Sequence, residues 1–282
     1  MRNRVIVAAG IAAALVGFYF LGYYVSKFFM DFLITLIIFC SVNEMRMALK
    51  DKMPREFNPL LIIYSLTIGL PYLKLGFMGV VYYTLLILSL GATLAVFKNI
   101  HLDGLMNFAF ILIYPGLTLS SLFFVNNSQL ANLGLAFVFL VSSLTDVFAL
   151  VFGMLFGKHK LAPEISPKKT IEGAAGGLFG GIVGALLVFL VFEIFGWLGT
   201  GFFAWGLRKS YTYLSYALIA IFGSCLTQIG DLVASLIKRS LGIKDFSRLL
   251  GSHGGMLDRV DGMMLNACFV SLLSLIHISE PT

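Results

Sequence analysis

Residues 211–277 read YTYLSYALIAIFGSCLTQI, then GDLVASLIKRSLGIKDFSRLLGSHGGMLDRVD, then GMMLNACFVSLLSLIH. An apolar run gives way at Gly230 to a charged stretch, and a second apolar run follows Asp261. Two spans near 211–229 and 260–277 are expected, with a polar segment between them that is the natural place for chemistry. Within that segment a helix over 231–239 puts Asp231, Ser235 and Lys238 at i, i+4 and i+7, so they share one face beside Arg239. Asp258 and Asp261 are three apart and flank Arg259, so on a helix both carboxylates aim the same way.

Carboxylates so placed suit Mg²⁺, a hard ion that takes oxygen ligands and leaves room for phosphates. The candidate metal ligands are Asp231, Asp258 and Asp261. Gly251-Ser252-His253-Gly254-Gly255 precedes the second helix, where backbone N–H groups of Gly254 and Gly255 can approach a phosphate closely. Lys238, Arg239, Lys244, Arg248 and Arg259 are cations for anionic oxygens, with Asp245 and His253 among them. His253 is read as a phosphate contact or leaving-group donor, with a hydrogen bond inside the loop as the alternative. A loop whose cations only fix membrane orientation is the plainer reading of these bases, but it has no need of Asp231, Asp245, Asp258 and Asp261.

A second polar segment points the same way. Lys158 to Gly173 reads KHKLAPEISPKKTIEG and leads into a run holding Gly173, Gly176, Gly177, Gly180, Gly181 and Gly184. Ser166-Pro167 suits a helix entry, after which Lys168, Lys169 and Thr170 would lie beside free N–H groups of the first turn, with Glu172 following. The glycines form a small-xxx-small face for close helix packing, which would hold the lysine loop against the charged helix. Asp146, in an otherwise apolar run, is a functional candidate by its cost alone, and bonding to Ser142 or Thr145 is the alternative.

The order Ser235-x-Ile237-Lys238-Arg239, then Lys244-Asp245-x-Ser247, then Leu250-Gly251-x-His253-Gly254-Gly255-Met256-x-Asp258-Arg259-Val260-Asp261 resembles the signature of the phosphatidate cytidylyltransferases. Ser166-Pro167-Lys168-Lys169-Thr170-x-Glu172-Gly173 resembles a second segment of that family. One departure is Ala234, where many members carry Glu. The resemblance covers roughly the C-terminal half; the N-terminal half agrees in hydropathy alone.

The rest of the chain sets the class. Its 282 residues are 59% hydrophobic with mean hydropathy +0.94, more apolar matter than one soluble core buries. The fold class is therefore an all-α polytopic integral membrane protein with about nine transmembrane helices and the active site at the cytoplasmic side. Spans are expected near 5–25, 28–42, 58–73, 76–97, 105–125, 132–156, 173–195, 211–229 and 260–277. Residues 1–130 and 131–278 divide it into an N-terminal membrane half and a catalytic half. Val5–Val25 reads as a retained span rather than a removed leader, and the polar end, 277–282, as a candidate cloning scar.

With the N-terminus inside, sixteen Lys and Arg lie on the cytoplasmic side against Lys27, Lys74, Arg208 and Lys209 opposite. Both polar segments then face the cytoplasm of a cell whose inner membrane holds the chain. Asn43 to Arg55, mixed in charge, reads as an interfacial helix tail from which Glu44 could reach the membrane face of an active site, with no function placed on it. Cys40, Cys225 and Cys268 sit in apolar surroundings and read as packing residues.

The resemblance implies that CTP and phosphatidate give CDP-diacylglycerol and pyrophosphate, and it implies a homodimer. The nucleophile would be a phosphate already anionic near neutral pH, so no strong base is required. Lys238, Arg239, Lys244, Asp245, His253 and Arg259 are then catalytic candidates, and Ser166, Lys168, Lys169, Thr170, Glu172, Ser235, Gly254 and Gly255 substrate-binding ones. Asp146 would ligate the same Mg²⁺ or a second, monovalent cation. The partners are the two substrates and the bilayer, with no nucleic acid. Three rivals stay open: a CTP-dependent kinase of a lipid alcohol such as an isoprenoid, a cytidylyltransferase for a different lipid phosphate such as an archaeal ether lipid, and a transporter that uses buried carboxylates as ion sites.

Overall fold

The computed structural model describes residues 2–198, 201, 209–251 and 254–278. Among them are nine helices: α1 (Arg2–Tyr24), α2 (Phe28–Ala48), α3 (Asn58–Thr67), α4 (Gly69–Phe97), α5 (Leu102–Asn127), α6 (Ala131–Phe156), α7 (Ile171–Ile194), α8 (Lys209–Ser240) and α9 (Leu257–Ile278). Six segments are long and apolar enough to cross a bilayer: α2, the Met78–Phe97 part of α4, and each of α5 to α8. Large apolar side chains such as Leu85, Leu86, Leu150, Met154, Phe179, Leu186, Ile221 and Phe222 stand exposed on these helices. That is the surface a lipid solvent requires, and the chain is a polytopic membrane protein.

Each expected span finds a helix, but the third differs. Helix α3 has ten residues, about 15 Å of rise, which is half a hydrocarbon core. Helix α4 starts at Gly69 and breaks at Gly76, whose φ of 62° and ψ of −151° only glycine adopts readily. Hydropathy does not register a backbone of the wrong hand, so the apolar run hides both breaks. Pro71 lies in the first turn of α4, where its missing N–H goes unneeded. Pro115 sits in a π-helical segment of α5, Leu112–Leu117. Similar wide turns interrupt α6, α7 and α8.

A small antiparallel ribbon also departs from the all-helical expectation. Strand β1 (Lys160–Ala162) pairs with β2 (Ser166–Thr170), Lys160 opposite Thr170 and Ala162 opposite Ser166. The helix entry expected at Ser166-Pro167 lies instead at Thr170, whose hydroxyl accepts the Gly173 N–H at 3.1 Å. The reason is local. Glu172 accepts the backbone N–H groups of Lys158 and His159 and meets His159 Nδ1 at 2.6 Å, which folds the segment back onto the start of α7.

The chain forms two compact units. One comprises Met1–Phe124 with Ser240–Val260, the other Val125–Arg239 with Asp261–Thr282. In the first, Tyr64 is fully buried and its hydroxyl lies 3.0 Å from Thr84 Oγ1 and 3.1 Å from the Leu112 carbonyl. Phe57 stacks on Phe108 at 4.6 Å beside it. In the second, the glycine face of α7 is split between neighbours. A methyl at Gly176 or Gly180 would run into Phe152 or the Leu144 carbonyl of α6, and one at Gly181 into Ser224 of α8. The expected close packing is therefore made on two sides at once.

Candidate active site

The second unit gathers carboxylates and lysines at one end of α8 and α9. Gly230 makes the approach: a Cβ there would lie 2.5 Å from the Asp261 carbonyl and 3.1 Å from that of Gly262. Backbones that close bring Asp231 and Asp261 together, and the charges of Asp231, Lys238 and Asp146 all bear on Asp261. Asp261 is buried, its Oδ1 accepts the Gly262 N–H at 2.8 Å, and Lys238 Nζ stands 3.7 Å from its Oδ2. Asp146 is exposed on α6, and a Cβ on Gly262 would lie 3.6 Å from its Oδ2.

The ribbon closes over the same end. Lys169 Nζ meets Asp231 Oδ2 at 2.7 Å, and Arg239 Nε donates to the Ile165 carbonyl at 3.3 Å. Strand alternation sends neighbouring side chains to opposite faces, so Lys169 is half-buried on Asp231 while Lys168 is exposed. Thr170 and Glu172, both candidate substrate contacts, hold backbone instead: one caps α7 and the other pins the ribbon. Ser235 is half-buried on α8. Ala234 is fully buried.

Beneath this cluster lies a polar seam that the sequence did not reveal. Ser142 Oγ lies 3.0 Å from Thr227 Oγ1, Thr145 donates to Ser224, Ser224 to the Gly177 carbonyl, and Asn266 Nδ2 to Ser142. Each is a small polar residue inside an apolar run, and that recurrence on three different spans is the signal that could have found it.

The first unit holds the turn before α9. One oxygen of Asp258 accepts the N–H groups of Phe246 and Gly255, each at 2.9 Å. Gly254 has φ 79°, and a Cβ on it would lie 2.9 Å from that oxygen. Glu44 of α2, 5% exposed, reaches the same turn. Its Oε1 accepts the Ser247 hydroxyl at 2.7 Å and the Met256 N–H at 2.8 Å, and its Oε2 accepts the Leu257 N–H at 2.8 Å. Lys244, Asp245, Arg248 and Arg259 are exposed, and Ser252 and His253 lie outside the described residues.

The donor chemistry suits a hard divalent ion. Asp231 and Asp261 offer carboxylate oxygens side by side, already neutralised by ammonium groups that a cation would replace. Among the described residues no group of three or more acids, histidines or cysteines closes into a cage of its own. Two carboxylates are a set that Mg²⁺ can use together with substrate phosphates.

Comparison with known proteins gives a consistent result. A family model described as the cytidylyltransferase family matches residues 3–277. A phosphatidate cytidylyltransferase of Aquifex aeolicus is 32% identical over 239 residues, 84% of this chain and 79% of that protein. One from Staphylococcus saprophyticus is 40% identical over 139 residues, 49% of this chain and 47% of the relative. One from Mycobacterium tuberculosis is 39% identical over 125 residues, 44% of this chain and 33% of the relative. The matched stretch thus spans about half the length of the staphylococcal protein and a third of the mycobacterial one.

Proposed function

Because the chain belongs to the cytidylyltransferase family, we propose that it transfers the cytidylyl group of CTP to phosphatidate, giving CDP-diacylglycerol and pyrophosphate. The observation that carries this reading is the meeting of Lys169 with Asp231 and of Lys238 with Asp261 at the end of α8. Paired carboxylates and ammoniums at the edge of an apolar bundle are what joining two polyanions requires, one of them a lipid.

In this reading a phosphatidate oxygen forms a bond to the α-phosphorus of CTP, and the bond from that phosphorus to the bridging oxygen of the β-phosphate breaks. The electron pair leaves with pyrophosphate. The attacking monoester carries its negative charge near neutral pH, so no residue need remove a proton. Asp231 and Asp261, with Asp146 beside them, would hold Mg²⁺, which when bound offsets charge on the leaving phosphates. Lys169 neutralises Asp231 in the resting chain and is the cation free to turn to a phosphate once Asp231 has another partner. Lys168, exposed on the opposite face of β2, and Lys238 and Arg239 on α8 screen the remaining charge.

The excess of basic residues supports a cytoplasmic position for this end of the bundle, where CTP is available. The acyl chains of phosphatidate would stay against exposed apolar side chains of α6 to α8 while the head group meets the nucleotide. Purified protein given phosphatidate, Mg²⁺ and CTP labelled at either the α- or the γ-phosphate tests the reaction type. Label should enter lipid from the α-position only. Label from the γ-position, with a lipid alcohol as acceptor, would make the chain a kinase.

A further inference from the structure

The Gly251–Gly255 stretch looks in sequence like a phosphate cradle, yet three of the N–H groups at its end and at the start of α9 are already engaged. That of Gly255 goes to Asp258, and those of Met256 and Leu257, in the first turn of α9, go to Glu44. We infer that Glu44 is a positioning residue for the proposed cytidylyl transfer: a carboxylate supplied from α2 that clamps the turn and fixes where α9, and the acids it carries, begin.

Three observations support the assignment independently. First, Glu44 is buried, and its two oxygens accept three hydrogen bonds, from the Ser247 hydroxyl and from two amides that a helix start leaves without partners. A buried carboxylate is tolerated only where its charge is so met, and the positive end of α9 supplies the field that suits it. Second, Gly255 is shaped to Glu44. A Cβ on Gly255 would run into the Glu44 carboxylate, so the missing side chain is what lets the acid reach the helix. Third, Ser247 is held at both ends, its hydroxyl donating to Glu44 and accepting the Leu249 N–H at 3.0 Å. The Gly255, Met256 and Leu257 amides are thereby taken up by the protein's own acids.

The inference rests on the proposed reaction for its kinetic consequence, but its structural half can be tested alone. Hydrogen exchange of the full chain in detergent, followed over the segment from Leu249 to Asp258, reads the clamp directly. In Glu44→Gln one acceptor oxygen is replaced by an amide that faces backbone donors, so the Met256 and Leu257 amides should exchange at least about tenfold faster than in wild type, with the transmembrane peptides unchanged. Gly255→Ala, which evicts the carboxylate from the other side, should give the same local loss. Combining the two should add little to either alone, since both remove one contact. In CDP-diacylglycerol synthesis Glu44→Gln should lower kcat by roughly 10- to 100-fold with KM for CTP nearly unchanged, and Glu44→Asp should restore less than half of it.

Unchanged exchange in both variants overturns the clamp. Faster exchange with kcat intact, or a rise confined to KM, overturns the positioning role. If wild type makes no CDP-diacylglycerol, the proposed reaction fails while the exchange result still decides what Glu44 holds. A variant that does not fold is replaced by Ser247→Ala, which removes one of the three bonds and should raise exchange at Met256 to a lesser degree.

Discussion

Gly230 has no side chain, and that sets the distance between two acids. A methyl group at this position needs the space occupied by the Asp261 carbonyl, so Gly230→Ala must push α8 and α9 apart. We expect a loss of about 1–3 kcal/mol, the ordinary cost of overpacking, read as a lower thermal midpoint in detergent. Activity should fall further than stability, because Asp231 and Asp261 move apart as the backbones do. At this scale the sequence was legible where partners are near in the chain or share a helix face, as Asp231, Ser235 and Lys238 do. For Glu44 it showed only that the acid could reach an active site, because its partners lie 203 to 213 residues away. The one local hint was an acid at the end of an apolar helix, at the start of a tail of mixed charge.

Elements were legible by hydropathy and less so by hand or by cap. The nine apolar runs each yield a helix, and the six segments long enough to cross a bilayer have no other way to satisfy their backbone in lipid. The turn of Gly76 escaped because it leaves the apolar content of its run unchanged, and β2 escaped because Ser166–Thr170 lies in a polar segment where hydropathy marks no element. Helix α7 begins one polar contact later than Ser166-Pro167 indicated, at the Thr170 hydroxyl. Thr170→Val should cost about 1 kcal/mol through the lost cap, while Thr170→Ser should melt near wild type. A second prediction concerns the ribbon: Glu172→Gln weakens its hold on Lys158 and His159 and should make the segment from Lys158 to Lys169 open to trypsin in the folded protein. Equal trypsin resistance in both forms would show that the ribbon is held by its strand pairing alone.

At the scale of the whole molecule, the charge pattern predicts an orientation that can be tested. Sixteen cations against four predict that both polar segments lie in the cytoplasm, with Asn126 to Gln129 on the far side. In a background without the three native cysteines, Gln129→Cys should react with a membrane-impermeant maleimide in intact cells. Lys160→Cys should react only after permeabilisation. The reverse pattern would put the carboxylates where no CTP is found and would end the proposed reaction.

The most direct test of the central claim is pyrophosphate release from CTP and phosphatidate by purified wild type and Asp261→Asn, with and without Mg²⁺, alongside thermal melting of both. The account predicts one pyrophosphate per CDP-diacylglycerol in wild type only with Mg²⁺, and a fall on the order of 100-fold or more in Asp261→Asn at an unchanged melting point. An Asp261→Asn protein that keeps the wild-type rate would contradict it, because the acid that Gly230 brings beside Asp231 would then have no part in the reaction.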